Sequence, residues 1–239
     1  MTGHVLDRPV WHSLIGVHTH LARRHGSAAR YDPEVSPFAG TEADGDAAWA
    51  DLRTVLGGGG SAFLPGSPFP VPDDVRVPFR VSVLQMVAPE WRPEPDPEAI
   101  ELGPADAAEM HDLASRTKPG PFDLRTRELG RYVGYRVDGR LVAMAGERMH
   151  PPGYTEVSAV CTDPEFRGRG YAVRAMSTIG SAIVARGETP FLHVATDNPA
   201  IGIYERLGFV TRLEYEVAAV VIPGSSPGPV DEPRHPYAE

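Results

Sequence analysis

Residues 161–176, CTDPEFRGRGYAVRAM, join a β-branched run to a helical one across a turn rich in glycine and arginine. Upstream, YTEVSAVCT (154–162) has the composition of a strand and stops just before Asp163-Pro164. Downstream of Gly170, Ala172, Met176, Ile179 and Ile183 step by three and four, which predicts an amphipathic helix to about residue 186. Between them stand Arg167, Gly168, Arg169 and Gly170. A strand, a glycine turn and a helix start suit an anion. Glycines let the backbone approach it, the first-turn N–H groups lack partners inside the helix, the helix dipole favours negative charge, and arginine adds charge-assisted hydrogen bonds. The same residues also suit an arginine-rich surface turn, and both readings stand on the local pattern. A Walker loop would end in Gly-Lys-Ser/Thr and a dinucleotide fingerprint would read GxGxxG; the stretch is neither.

The 239 residues carry a net charge of −9, which argues against the basic footprint of a nucleic-acid-binding protein. Any anion site must therefore be local. Cys161 is the single cysteine, so an intrachain disulfide and a cysteine zinc site are both excluded, and a reducing cytoplasm is expected. No charged-then-apolar leader opens the sequence, and no run approaches the roughly 20 apolar residues of a membrane span. A soluble, cytoplasmic protein without a membrane partner is expected.

The first 97 residues are heavily punctuated by proline and glycine. Helices are predicted at about 10–24 and 45–55, LGGGGSAF (56–63) reads as a flexible turn, and VSVLQMV (81–87) as a strand. PEWRPEPDPE (89–98) reads as a connector, placing a boundary near residue 97 between an N-terminal α/β lobe (1–97) and a second domain (98–222). In the latter a helix at 105–115 precedes a hairpin turning on Asp138-Gly139, a pair that fits a type I′ turn. After the strand and helix around the arginine turn come a strand PFLHVAT, a short helix ending at Gly208 and one or two closing strands. Residues 223–239 are too polar and proline-rich to fold alone and read as a flexible tail.

RGRGYA resembles the R/Q-x-x-G-x-G/A signature of the GNAT acetyltransferase superfamily, with Arg167, Gly170 and Ala172 in its fixed places. NPAIGIYERLGF resembles a downstream segment of the same superfamily, with Asn198, Tyr204, Gly208 and Phe209 in register and its alanine displaced to Ala200. The resemblance covers residues 98–222 and extends to the glycine N-acyltransferase-like branch, some of whose members carry a degenerate N-terminal half-domain of similar fold. It implies an α/β (α+β) architecture, a mixed, mostly antiparallel sheet splayed between its fourth and fifth strands and flanked by helices. It also implies acetyl-CoA as donor. The pantetheine arm would pair with the backbone of Val160, Cys161 and Thr162. The pyrophosphate would lie on the N–H groups of Arg167, Gly168, Arg169, Gly170, Tyr171 and Ala172, with Asn198 also at the cofactor.

The activity implied is N-acetyl transfer to a small-molecule or peptide amine by direct attack in a ternary complex; the alternative is an idle CoA-binding module. Tyr204 stands where the family places its general acid. Glu156, eleven residues before Arg167, matches the catalytic glutamate of some members, and strand alternation would set it on one face with Ser158 and Val160. His193 is a rival base. The oxyanion would be held by a backbone N–H at Val160 or Cys161. Cys161 has no His and Asp partners in sequence that would make it a nucleophile. His12, His18, His20 and His25 crowd the first helix, but His18 and His20 fall on different sides of a helix and no HExxH occurs, so no metal is expected. The N-terminal lobe is expected to choose the acceptor, its acidic balance favouring cationic amines, and a homodimer is compatible with the sequence.

Overall fold

The computed structural model describes residues 3–66 and 70–224. Asp138 (φ 50°) and Gly139 (φ 80°) both adopt left-handed backbone, as a type I′ turn requires, and join β7 (Tyr132–Val137) to β8 (Arg140–Glu147). β9 (Tyr154–Thr162) extends this hairpin antiparallel on one side and β6 (Ile100–Glu101) on the other. Two helices cover the opposite faces. Met110, Leu113 and Ala114 of α3 (Ala107–Thr117) pack on Leu141, Met144, Ala159 and Cys161. Ala175, Met176, Ile179 and Ile183 of α4 (Tyr171–Ala185) pack on Val133, Ala143, Ala145 and Val157. Of the spacing read in the sequence, Met176, Ile179 and Ile183 are the buried stripe of α4, whereas Ala172 in its first turn is half-buried.

The N-terminal residues build α1 (Pro9–Ile15), a small sheet of β1 (Ala22–His25), β2 (Ala28–Tyr31) and β3 (Ala39–Thr41), and α2 (Asp46–Leu56). The helix expected at 10–24 ends at Ile15. Its buried face is complete with Val10, Trp11 and Leu14, and Val17 beyond it is exposed. The histidines after it do not share a helix face. Burial pushes His18 down to about 4; Tyr31 donates to its Nδ1 (2.8 Å) while its Nε2 donates to the Leu129 carbonyl (2.9 Å), tying the N-terminal segment to the turn that precedes β7.

The glycines at 57–60 do form a turn, but Ser61–Pro65 after them is a strand, β4, paired with β11 (Val210–Val221). β5 (Arg76–Val87) lies between β11 and β10 (Thr189–Ala195), antiparallel to both, and the main sheet runs β4-β11-β5-β10-β9-β8-β7-β6. The boundary drawn at residue 97 therefore divides the sequence but not the sheet. Proline density marked a connector because successive prolines cannot form a central strand, yet the strand before it completes the sheet after it. The connector straps α4: the Asp96 N–H donates to Thr178 Oγ1 (2.9 Å), Arg174 pairs with Asp96, and Trp91 lies 5.2 Å from the ring of Phe209. Among the described residues no helix is long and apolar enough to cross a membrane. The tail expected at 223–239 lies, from residue 225 on, outside the described residues.

A Cβ on Gly180 of α4 would come within 2.4 Å of the Trp91 ring, so the helix and the strap touch backbone to indole. Gly180→Val should destabilise the fold by about 1–3 kcal/mol through overpacking, read as a lowered urea midpoint.

Candidate active site

β9 and β10 run parallel but pair only where Tyr154, Thr155 and Glu156 meet Thr189, Pro190 and Phe191. Beyond that point they diverge. The resulting cleft, with an empty volume of about 540 Å³, is walled by residues 157–160 of β9 and 192–195 of β10 and closed by Asn198 and Tyr204. Tyr204 comes from α5 (Ile201–Arg206), its ring 6.2 Å from that of Phe209. The Asn198 side chain accepts from the Ala200 N–H (2.8 Å) and so shapes the start of that helix.

A bulge in β9 gives the cleft its wall. The register with β8 shifts between Met144 and Gly146, and Ala159 adopts φ 51°. In consequence Val157 packs under α4 whereas Ala159, two residues on, packs under α3. Such an extra residue leaves the ladder locally unpaired. Cys161 shares the α3 side, and its buried thiol is pushed up to about 11 by loss of solvent, which keeps it protonated. Thr162 ends the strand with its Oγ1 buried and unpartnered, and its carbonyl accepts from Arg167 Nε (3.4 Å).

The turn before α4 is held by Asp163, which is buried, accepts from the Glu165 N–H (3.1 Å) and pairs with Arg140 (2.5 Å) and Arg116. Gly168 (φ 77°) and Gly170 (φ 79°) take left-handed backbone facing open space. No side chain caps α4 and its first turn holds no acidic residue, so the N–H groups of Tyr171, Ala172 and Val173 precede the first intrahelical bond, Arg174 N–H to the Gly170 carbonyl (3.1 Å). Among the described residues Arg174, Arg140 and Arg116 are tied to carboxylates, while Arg167 and Arg169 join no ion pair. Arg169 lies over the Phe166 ring at 4.9 Å. Positive charge and unpaired N–H groups thus gather just past the C-terminal end of β9.

Glu156 sits elsewhere than alternation predicts. Because the bulge switches faces between 156 and 160, its side chain turns away from Val160 and is fully buried. Arg148 grips both its oxygens (2.8 and 2.6 Å), and His193 Nδ1 lies 2.6 Å from Oε1. Burial alone would raise the Glu156 carboxyl, but the charges and hydrogen bonds of Arg148 and His193 outweigh it and hold the group down to about 2. The other His193 nitrogen, Nε2, is met by the Tyr215 hydroxyl (2.6 Å) and by Gln85 Nε2 (3.0 Å); Arg212, donating to Gln85 Oε1 (2.7 Å), fixes which end of that amide faces the imidazole. Arg148 and His193 also line a second, narrow and partly open pocket behind the cleft. Sequence reasoning weighed His193 but missed Arg148, Gln85, Tyr215 and Lys118, the last at the cleft rim, since none lies in a motif.

Residues 132–218 match the family model described as FR47-like protein. The chain is 41% identical to an acetyltransferase assigned to the GNAT family from Novosphingobium aromaticivorans, whose crystal structure it matches over 94% of its own length and 100% of that chain with a TM-score of 0.82. A GCN5-related N-acetyltransferase from Kribbella flavida, 19% identical, shares the fold over 89% of this chain and 94% of its own at a TM-score of 0.60. The chain is 34% identical over 129 residues to the N-alpha-acetyltransferase RimI of Mycobacterium tuberculosis, 48% of this chain and 80% of that protein. It is 33% identical over 159 residues to an uncharacterised protein of Mycobacterium leprae, 58% of this chain but 43% of that protein, so it spans less than half of that relative's length.

Removing Arg148 would leave the Glu156 carboxylate buried against His193 alone. Arg148→Ala should cost about 3–5 kcal/mol of unfolding free energy in urea titrations near neutral pH. Since the folded carboxyl lies near 2 against an ordinary 4.5, its stabilisation is fully present above about pH 4.5 and is lost as the pH falls toward 2. Urea midpoints measured across that window should fall more steeply for the parent than for Glu156→Gln.

Proposed function

The chain belongs to the GNAT acetyltransferase superfamily, and on that premise we propose that it moves an acetyl group from acetyl-CoA to an amine by direct attack within a ternary complex. The observation that carries this reading is the open edge between β9 and β10, ending at an uncapped helix start flanked by two arginines without ion pairs. The anionic diphosphate of CoA fits such a helix start. Val160, Cys161 and Thr162 would offer backbone groups to the pantetheine amides, and Asn198 would hold the loop at the far wall of the cleft.

His193 is the base that the geometry favours. With Nδ1–H donated to the Glu156 carboxylate, its Nε2 is left as the acceptor for an amine proton, taken directly or through the Tyr215 hydroxyl. Glu156 is then a positioning residue acting through His193. As the amine nitrogen bonds to the thioester carbon and the C–S bond breaks, the Tyr204 hydroxyl delivers its proton to the departing sulfur. A backbone N–H at the bulge, at Val160 or Cys161, would receive the oxyanion. Residues 98–222 supply the donor side, and residues 1–97 share the acceptor side with β10 and β11. The extra N-terminal segment supports the glycine N-acyltransferase-like branch, and the single buried thiol suits a cytoplasmic protein.

With free thiol followed during turnover, Tyr204→Phe should lower kcat by about 10²- to 10⁴-fold while calorimetry shows CoA affinity unchanged. His193→Gln should likewise lower kcat by about 10²- to 10⁴-fold with CoA affinity retained. Full activity in both variants, or no heat of CoA binding in the parent, would refute this reading.

A further inference from the structure

The second pocket says what kind of amine the enzyme takes. Phe79, Val81 and Val83 point into it from alternate positions of β5, and across the ladder Val81 faces Val217 and Val83 faces Tyr215. Phe38 and Phe63, from the N-terminal segment, close it, their rings 5.8 Å apart and nearly perpendicular, with Phe63 5.6 Å from Phe79. The described lining contains no Asp or Glu. Its polar groups are gathered at the inner end: the Tyr215 hydroxyl, His193, and Arg148, whose charge is matched by Glu156 and which lies 5.0 Å from the Phe38 ring. That end is also the wall shared with the donor cleft.

Resting on the proposed acetyl transfer, we infer that the acceptor is a small primary amine on an uncharged, apolar body, an aralkyl or alkyl amine, rather than a polyamine or a cationic peptide. The amino group meets His193 and Tyr215 at the inner end, and the body is buried against the phenylalanines and valines, where removal of apolar surface from water holds it. A second positive charge would be stripped of water with no carboxylate to receive it and with a guanidinium at the pocket's end. The net charge of −9, which in sequence suggested cationic acceptors, is not directed at this pocket.

The test compares kcat/KM of the full chain, by thiol release from acetyl-CoA, for 2-phenylethylamine, hexylamine, 1,6-diaminohexane, spermidine and a lysine-rich peptide. Phenylethylamine and hexylamine should exceed the three polycationic acceptors at least tenfold. Val81→Asp, which adds a carboxylate to the wall at a half-exposed position, should narrow or reverse the ratio of hexylamine to 1,6-diaminohexane. Preferred turnover of spermidine or the peptide, or CoA binding by calorimetry with no turnover of the apolar amines, would overturn the inference while leaving the donor site standing. An unchanged ratio in a folded Val81→Asp would also overturn it. No heat with CoA and no turnover of any amine would overturn the inference and the acetyl-transfer reading together.

Discussion

The structure depends on β10 being held unequally from its two sides. Against β5 it pairs from Phe191 to Ala195; against β9 only from Thr189 to Phe191. Past Phe191 one edge is anchored while the other faces a gap, and strands that would otherwise zip together are kept apart. The β9 bulge adds to this. A left-handed alanine in mid-strand costs on the order of 1–3 kcal/mol and persists because both faces of β9 are packed, one under α3 and one under α4. The gap is thus a property of the whole sheet, N-terminal strand included.

Where the gap begins, Glu156 and Arg148 carry charge into a buried place, with His193 beside them. Replacing such a group with apolar residues is often neutral or stabilising, so stability is a poor reason for its presence. What the triad does provide is orientation. The carboxylate fixes one nitrogen of the imidazole, and Gln85, aligned by Arg212, fixes the other. One rigid ring then borders both pockets.

Local chemistry was readable and non-local pairing was not. Asp138-Gly139, the Arg167–Gly170 turn and the apolar stripe of α4 each declare themselves within a few residues, because turn conformation and helix period are short-range properties. β5 as a strand was equally visible. Its neighbours were not, since its partners lie more than a hundred residues away and nothing in its composition names them. Glu156 was misplaced for a different reason. Strict alternation holds only in an unbroken ladder, and Ala159 carries no mark of the left-handed turn that breaks it, as a glycine would have. Of the expected site residues, Val160, Asn198 and Tyr204 meet at the cleft and residues 167–172 form the turn, whereas the Glu156 and Cys161 side chains leave it.

The central place of β5 also sets an order of events. A ribosome releases this twelve-residue strand long before β10 and β11 exist. Until then both its edges are bare, and its alternating apolar side chains have no sheet to cover them. Such distant pairing slows folding and lengthens exposure to aggregation. The slot between β10 and β11 is therefore filled last, by a strand made earlier and recruited back across more than a hundred residues.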